Sequence, residues 1–408
     1  ESYKVKGQFS YKGRTIMIID CDTHLMPREA FDGVDGEFGP CKPSLKFNSD
    51  GLYVDVEFPG YPPDVPGTSP LLAPGSGAMF KSLWDVESRM ADYDGRLGIE
   101  QHVVLPQFSG WWSYLIEAEL AARMARSHNE ALLRVMKEYP GRILGVALVA
   151  LQDVAGSIRE TEWARENGFC AVVLDKVFPV KDHPYGEPLG SHRELWPFFK
   201  RAEELSMPIY LHNVQHGHRI SNFSLFQRDG LYVFAPEEGQ MSLVSLITSG
   251  LLDEYPRLQF IYTEAGTSFI KPLVVRLDKL LEAPPIDYAD QEEPLGNRPL
   301  TKVGEKLRRA RALNPAHIFL EKNKKPASHY FKNNFYFTIE TEEPELPEAI
   351  EFLGAGRFLF ATDYPHDDPG GRMKFQDVEL LRNNPKISES DKELIRWRNA
   401  ERLFHLAL

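Results

Sequence analysis

The sequence predicts an α/β fold in which eight parallel strands form a distorted (β/α)8 barrel. Short segments rich in β-branched and aromatic residues alternate with longer amphipathic segments, which is the pattern of repeated βα units. Eight short segments can be counted, and several end at an Asp, a Glu or a His. Because catalytic side chains of a parallel barrel lie at the carboxyl ends of its strands, these polar ends predict one shared site.

The eight expected strands are six or seven residues long. They are placed at 15–20, 99–105, 143–149, 170–175, 207–212, 258–264, 334–339 and 357–362. Helices with a 3.6-residue apolar period are expected between them, notably at 113–138, 191–206, 268–281 and 388–405. The last opens with Ser388, three residues before Asp391, in the pattern of a helix cap.

Two segments interrupt the alternation within what is expected to be a single barrel domain over 1–408. Residues 33–80 form a long insertion after the first strand, rich in Pro and Gly, with one strand-like piece at Leu52–Phe58. Residues 283–300 form an acidic loop with several prolines. Loops of this length in a compact domain serve as lids, as interface arms or as linkers. For 33–80, a cover over the site and an oligomer arm both remain open.

Composition narrows the classes of partner. A chain of 408 residues with 42% hydrophobic residues can bury a large core, and its net charge of −12 argues against nucleic acid or an anionic membrane as partner. Three cysteines make neither a disulfide framework nor a cysteine zinc cluster. With no apolar segment long enough to span a bilayer, we expect a cytoplasmic protein that binds a small molecule and forms a homo-oligomer or a heteromer with a related chain.

The first candidate site residues follow the first expected strand. Asp22 and His24 are two positions apart, so in an extended chain their side chains leave the same face and can bind one ion together. Asp20 shares that face. A turn or a helix cap after the strand is the alternative interpretation, because Asp and Thr favour both.

Histidines follow the fifth expected strand. His212 ends it, and His216 and His218 follow in the next loop, with Arg219 beside them. A hydrogen-bonded structural histidine competes with a metal ligand at His212, and imidazole is the commonest metal-binding side chain. For the loop residues, contact with substrate, a second metal and surface exposure remain open, and Arg219 is a candidate partner for a substrate carboxylate.

Two carboxylates follow the sixth and eighth expected strands. Glu264 precedes a helix, so a favourable charge at the helix N-terminus competes with metal ligation or proton transfer. Asp363 precedes a Pro-interrupted turn that also contains His366, which places its carboxylate at the barrel mouth. His212, Glu264 and Asp363 are the candidate catalytic residues.

Several motifs together resemble one protein family. They are Ile19–His24, Leu211–Asn213, Glu264–Ile270, Val275–Asp278, Tyr336–Thr338, Ala361–His366 and Asn399–Ala400. The chain resembles the amidohydrolase superfamily, in the amidohydrolase-related (amidohydrolase 2) branch that includes aminocarboxymuconate-semialdehyde and resorcylate-type decarboxylases. This resemblance implies a metal-dependent hydrolase type of barrel with a divalent ion held by residues at the positions of Asp22, His24, His212 and Asp363.

The sequence departs from that family's usual pattern in two places. Asp22 stands where many members have His or Glu, and Glu264 stands where a His is common. With Asp363 these residues give three oxygen donors beside two imidazoles, which suits Mn or Fe at least as well as Zn. Three carboxylates carry more charge than one divalent ion neutralises, so either one or two ions are possible, and His216 or His366 would supply the extra donors.

Two reaction classes are therefore expected. The first is a metal-dependent hydrolase or decarboxylase acting on a small carboxylated or cyclic substrate. The alternative is a dinuclear Fe/Mn oxygen-activating hydroxylase, a monooxygenase, since the chain also resembles the 2-aminoisobutyrate hydroxylase subunits. A third possibility is a partner subunit of a related heteromeric complex.

Overall fold

The computed structural model describes residues 10–11, 14–15, 17–47, 53–57, 59, 81–107, 117–180, 183–212, 239–282, 325–366 and 375–406. Eight parallel strands form one sheet in which each strand pairs with its neighbours in the chain. They are Ile19–Leu25 (β1), Gln101–Pro106 (β2), Ile143–Leu148 (β3), Ala171–Asp175 (β4), Ile209–His212 (β5), Phe260–Tyr262 (β6), Phe335–Thr338 (β7) and Phe358–Leu359 (β8). The predicted (β/α)8 barrel is confirmed.

The barrel closes where β1 meets the segment after β8. Cys21 N donates to Phe360 O at 2.8 Å, Asp363 N donates to Asp22 O at 2.9 Å, and His24 N donates to Tyr364 O at 2.7 Å. β8 itself has only two residues, whereas the sequence predicted a strand over 357–362. The closing segment therefore continues past the regular strand, joined to β1 by single main-chain bonds.

The first strand lies further along the chain than predicted. The prediction for 15–20 was wrong, because Arg14–Thr15 belongs to a short hairpin with Ser10–Tyr11 and β1 begins at Ile19. Asp22 and His24 thus lie inside the strand rather than after it, Asp20 lies near its start rather than at its end, and all seven residues of β1 are buried. A buried carboxylate requires polar partners, and Asp20 has them because Tyr93 Oη and Thr362 Oγ1 donate hydrogen bonds to it.

Helices surround the sheet. They are Val86–Asp92 (α1), Ala118–Glu138 (α2), Val154–Glu166 (α3), Trp196–Glu204 (α4), 239–248 (α5), Leu251–Glu254 (α6), Ile270–Glu282 (α7), Ala327–Asn334 (α8), Leu346–Leu353 (α9), Asp377–Asn383 (α10), Glu389–Glu393 (α11) and Asn399–Leu403 (α12). Two π-helical turns, Tyr93–Leu97 and Leu394–Arg398, extend α1 and connect α11 to α12.

Two helix starts show how sequence decides the boundary. α4 begins later than the predicted 191, after two 3-10 turns, because Pro197 in its first turn lacks the N–H that an interior position requires. Ser388 caps α11 as predicted, since its side chain accepts a hydrogen bond from Asp391 N.

Part of the 33–80 insertion lies within the described residues. It contains a 3-10 turn at Gly36–Cys41 and an antiparallel hairpin of Ser44–Phe47 with Tyr53–Glu57, close to the predicted strand piece. Residues 48–52, 58 and 60–80 of the insertion, and all of 283–300, lie outside the described residues. A second hairpin, Val177–Val180 with His183–Pro188, follows β4.

The core has two parts. One fills the barrel interior with side chains such as Val103, Val146 and Ile261, and the other packs the outer faces of the strands against the helices through side chains such as Phe198 and Phe260. No helix in the described ranges combines the length and apolar character needed to cross a bilayer.

Candidate functional site

Five predicted site residues converge at the carboxyl end of the barrel. His24 is central: its Nε2 lies 3.1 Å from Asp363 Oδ1, 3.6 Å from Asp22 Oδ1 and 3.7 Å from Glu264 Oε1. His212 Nε2 lies 3.2 Å from the same Glu264 oxygen. Residues that are separated by most of the chain therefore meet at one point, as the strand ends predicted.

The donor atoms form two overlapping groups. One consists of Asp22, His24 and His212, and the other of His24, Glu264, Asp363 and His366, with all donor atoms of a group within 4.8 Å of one another. His24 belongs to both. Each group has the size of a coordination sphere, and together the two groups contain more donors than one tetrahedral ion uses.

Both carboxylates at the strand exits sit on unusual backbone. Glu264 has φ = 50° and Asp363 has φ = 56°, in the left-handed region that residues with a Cβ rarely adopt. Such conformations persist only where the surroundings fix them, and they cluster at functional sites. In these conformations both carboxylates reach the imidazole of His24.

His366 extends the site through a hydrogen-bonded chain. Its Nδ1 lies 2.7 Å from Asp363 Oδ1, and its Nε2 lies 3.0 Å from Gln107 Oε1. The ring also stacks on His24 with centroids 4.5 Å apart. Gln107 belongs to no motif of the sequence, and its only signal is its position directly after β2.

The electrostatics of the site are dominated by crowded carboxylates. Burial raises the pKa of Asp22 well above its usual value, and the charges of Glu264 and Asp363 raise it further, against the opposing effect of His24. Burial disfavours charge on His24, but its contacts with Asp363 and Glu264 outweigh burial and raise its pKa to about 10. Negative charge thus attracts a cation or a proton to this point.

By contrast, the carboxylates of Glu264 and Asp363, at the exits of β6 and β8, remain ionised. Burial favours their neutral forms, but His212 holds the pKa of Glu264 well below its usual value. Against burial, His366 likewise lowers the pKa of Asp363. Each exit carboxylate therefore has an imidazole that stabilises its charge.

A buried polar network supports the site from behind β1. Asp20, which does not join the donor groups, accepts hydrogen bonds from Thr362 N at 3.0 Å and from Tyr93 Oη at 3.0 Å. Burial raises the pKa of Asp20 to about 6. Fully buried Arg89 donates to His24 O at 2.7 Å and to His102 Nδ1 at 3.1 Å. Nothing in the sequence of α1 signalled that its arginine would be buried.

One buried lysine lies beside the site. Lys176 follows β4 directly, and its Nζ donates to Thr263 O at 2.9 Å. His216, His218 and Arg219 lie outside the described residues, so their predicted contacts with a second metal or with substrate stay predictions.

The donor set fits a divalent metal ion. Within the part of the chain that the structure describes, neither ring nitrogen of His24 nor Oδ1 of Asp22 has a well-formed hydrogen bond, although both side chains are buried. Buried polar atoms ordinarily have partners, and atoms that lack one inside a ring of carboxylates are suited to coordinate a cation. Mixed oxygen and imidazole donors are compatible with Mn, Fe or Zn.

Comparison with known proteins agrees with this geometry. The sequence matches the amidohydrolase family over residues 19–406. It is 26% identical over 334 residues to gamma-resorcylate decarboxylase of a Polaromonas species, covering 79% of this chain and 89% of the relative. It is 20% identical to the 2-amino-3-carboxymuconate-6-semialdehyde decarboxylase of Dictyostelium discoideum, with 79% of each chain covered.

Solved structures show the same fold. Dihydroxybenzoic acid decarboxylase from Polaromonas, with bound manganese and an inhibitor, superposes with a TM-score of 0.63 at 21% identity, covering 96% of this chain and 98% of the other. A manganese-bound 5-carboxyvanillate decarboxylase from Novosphingobium aromaticivorans gives 0.66 at 22% identity, covering 96% of each. The predicted resemblance to metal-dependent decarboxylases of this barrel type is confirmed. The chain belongs to the amidohydrolase family.

Proposed function

We propose that this protein is a divalent-metal-dependent decarboxylase of a small ring-containing carboxylate. The observation that carries the proposal is the convergence of Asp22, His24, His212, Glu264 and Asp363 at the barrel mouth, with donor atoms in two overlapping groups that share His24. Named relatives over most of the chain are decarboxylases, which favours this reaction over hydrolysis.

In this proposal the five residues hold the metal. When bound, the ion supplies a positive centre that orients the substrate carboxylate and stabilises negative charge that develops on the ring. Arg89 fixes His24 through its carbonyl oxygen, and Glu264 is shared between His24 and His212. The chain's own contribution is to keep these donors in place before substrate arrives.

The Asp363–His366 pair supplies the proton that the ring carbon takes up. In decarboxylation the carbon–carbon bond to the carboxylate breaks, CO2 leaves, and the electron pair stays on the ring carbon, which then takes up a proton. Asp363 Oδ1 and His366 Nδ1 are 2.7 Å apart, so a proton held between them can be delivered at the site and replaced through His366. Gln107 fixes the other ring nitrogen of His366.

The proposal is tested by metal content and by product. Protein purified without added metal is analysed for Mn, Fe and Zn, and is then incubated with 2,6-dihydroxybenzoate and with 5-carboxyvanillate in the presence of Mn²⁺. We expect release of CO2 from at least one of these or a related ring carboxylate, and loss of that activity on chelation. Tight binding of a divalent ion without turnover of any ring carboxylate would contradict the proposal.

An oxygen-activating hydroxylase is the second candidate. The observation in its favour is the presence of two overlapping donor groups that share His24, which leaves His366 as a donor for a second ion. Two ions per chain including iron, together with O2 consumption that depends on substrate, would favour this candidate over decarboxylation. A subunit of a heteromeric complex is compatible with both, and mass measurement in solution tests it.

A further inference from the structure

We propose that Glu343 is a positioning residue that fixes the metal-facing conformation of Glu264. This inference rests on the proposed function, because Glu264 is one of the proposed metal donors. Glu343 lies after β7 and is 79 positions from Glu264 in the chain. It is outside the donor groups identified among the described residues, so it acts through the loop that carries Glu264.

Glu343 makes four hydrogen bonds to that loop. Its two carboxylate oxygens accept from Thr267 N at 2.8 and 2.7 Å. One of them also accepts from Thr267 Oγ1 at 2.6 Å, and the other accepts from Ser268 N at 3.0 Å. A carboxylate that accepts several hydrogen bonds from main-chain N–H groups is a strong local restraint, because bonds to an ionised acceptor are stronger than neutral ones.

The loop needs such a restraint because it departs from ordinary backbone at two nearby positions. Glu264 has φ = 50°, and Gly266 has φ = 62°. An L-residue with a Cβ is disfavoured in this region, so an unrestrained loop would relax and turn the Glu264 carboxylate away from the site. A Cβ built on Gly266 would lie 2.8 Å from Glu343 Oε1, which shows how closely the two loops approach.

The other side of Glu264 is held by a positive charge. Lys176 Nζ donates to Thr263 O at 2.9 Å, and both Lys176 and Thr263 are buried. Hydrogen bonds therefore restrain the loop on both sides of Glu264: Lys176 binds the carbonyl before it, and Glu343 binds the amides after it. This pairing indicates that the loop is restrained specifically around the residue that faces the metal.

A purely structural role for Glu343 is the competing explanation, because Thr267 N and Ser268 N lie just before α7 and a capping carboxylate would stabilise that helix. The two explanations differ in what happens once the Glu264 carboxylate is removed. If Glu343 positions the Glu264 carboxylate, Glu343→Ala no longer changes the metal affinity once that carboxylate has been removed. If Glu343 only stabilises α7, Glu343→Ala changes the metal affinity equally with and without the Glu264 carboxylate.

The experiment is a double-mutant cycle on Mn²⁺ binding. The full chain is titrated with Mn²⁺ alone, and bound ion is measured by electron paramagnetic resonance for wild type, Glu343→Ala, Glu264→Gln and the double variant. We expect Glu343→Ala to weaken Mn²⁺ binding by about 10- to 100-fold, as for other residues that orient ligands. In the Glu264→Gln background we expect less than roughly a twofold further change.

Three further variants make the result specific. Glu343→Gln keeps one acceptor oxygen for Thr267 N and should recover part of the affinity, and Thr267→Val removes only the hydroxyl donor and should give a smaller loss. Glu348→Gln is the matched control, because exposed Glu348 pairs with Lys271 on α7 without touching the loop. It should leave the Mn²⁺ affinity unchanged. Melting temperatures without metal report the structural contribution of each substitution.

Two negative results are distinguishable. If wild-type protein binds Mn²⁺ and Glu343→Ala binds it equally well, or if Glu343→Ala has the same effect in both backgrounds, Glu343 is only a structural residue. If wild-type protein binds no Mn²⁺ and none of the other divalent ions, the proposed metal site and this inference are both wrong. Should Glu343→Ala fail to fold, the same comparison is made with Thr267→Val and Glu343→Gln.

Discussion

The loops that leave β6 and β8 are restrained by different contacts. Each carries one carboxylate of the site on left-handed backbone, Glu264 after β6 and Asp363 after β8. The β8 exit is held by fully buried Asp20 in β1, through Thr362. The β6 exit is held by half-buried Glu343 from the next loop of the barrel.

The two restraints should therefore differ in how much each contributes to the stability of the fold and to the geometry of the site. The restraint at the β8 exit joins the first and last strands, so it also closes the barrel, and damage there should lower the stability of the whole fold. The restraint at the β6 exit joins two neighbouring loops on a barrel that is already continuous, so damage there should change the site with less effect on the fold.

Substitution at the β8 exit carboxylate should have the largest effect. We expect Asp363→Asn to lower the decarboxylation rate by about 10²- to 10⁴-fold, because the amide cannot hold or transfer the proton. Asn tolerates the left-handed backbone well, so the fold should be retained. Steady-state kinetics of CO2 release and the melting temperature measure both effects, and a rate close to that of wild type would exclude Asp363 from proton transfer.

Removal of the buried restraint at the same exit should act mainly on stability. We expect Asp20→Ala to lower the free energy of unfolding by about 1–3 kcal/mol, because Thr362 N and Tyr93 Oη lose a buried acceptor. Asp20→Asn, which keeps one carbonyl oxygen, should cost less. Urea unfolding measures the difference, and equal stability of Asp20→Ala and wild type would show that this network does not hold the barrel closed.

The smallest effect on stability is expected at the β6 exit. Gly266→Ala should lower the free energy of unfolding by about 1 kcal/mol, because alanine is disfavoured at φ = 62° and its Cβ would crowd Glu343. Gly356→Ala is the matched control, since a Cβ there meets no atom within 4 Å and φ is not positive. If the two variants lose the same stability, the β6 exit is not specially restrained.

Much of this site could be predicted from the sequence because strand ends are recognisable. His212 ends β5, and Glu264 and Asp363 follow apolar segments that do form β6 and β8. In a parallel barrel those ends meet at one face regardless of how long each strand is. The convergence therefore did not depend on exact boundaries, which were wrong by several residues at β1 and β8.

The supporting residues could not be predicted, because their roles depend on contacts between distant segments. Gln107, Arg89 and Glu343 belong to no motif in the sequence and lie in a strand exit, a helix and a loop. β1 was misplaced for a related reason: Asp20 is acceptable in a buried strand because Tyr93 and Thr362, which are distant in the sequence, supply its hydrogen-bond partners.

The closure of the barrel by main-chain bonds between β1 and the β8 exit has a consequence for folding order. Asp20 and Thr362 are 342 positions apart, so the hydrogen bond between them joins the two ends of the barrel. We expect contacts of this kind to form after the local βα units, because bringing distant segments together opposes the formation of non-local contacts. The complete donor set therefore exists only in a chain whose first and last strands have met, so binding of the ion reports that the barrel has been completed.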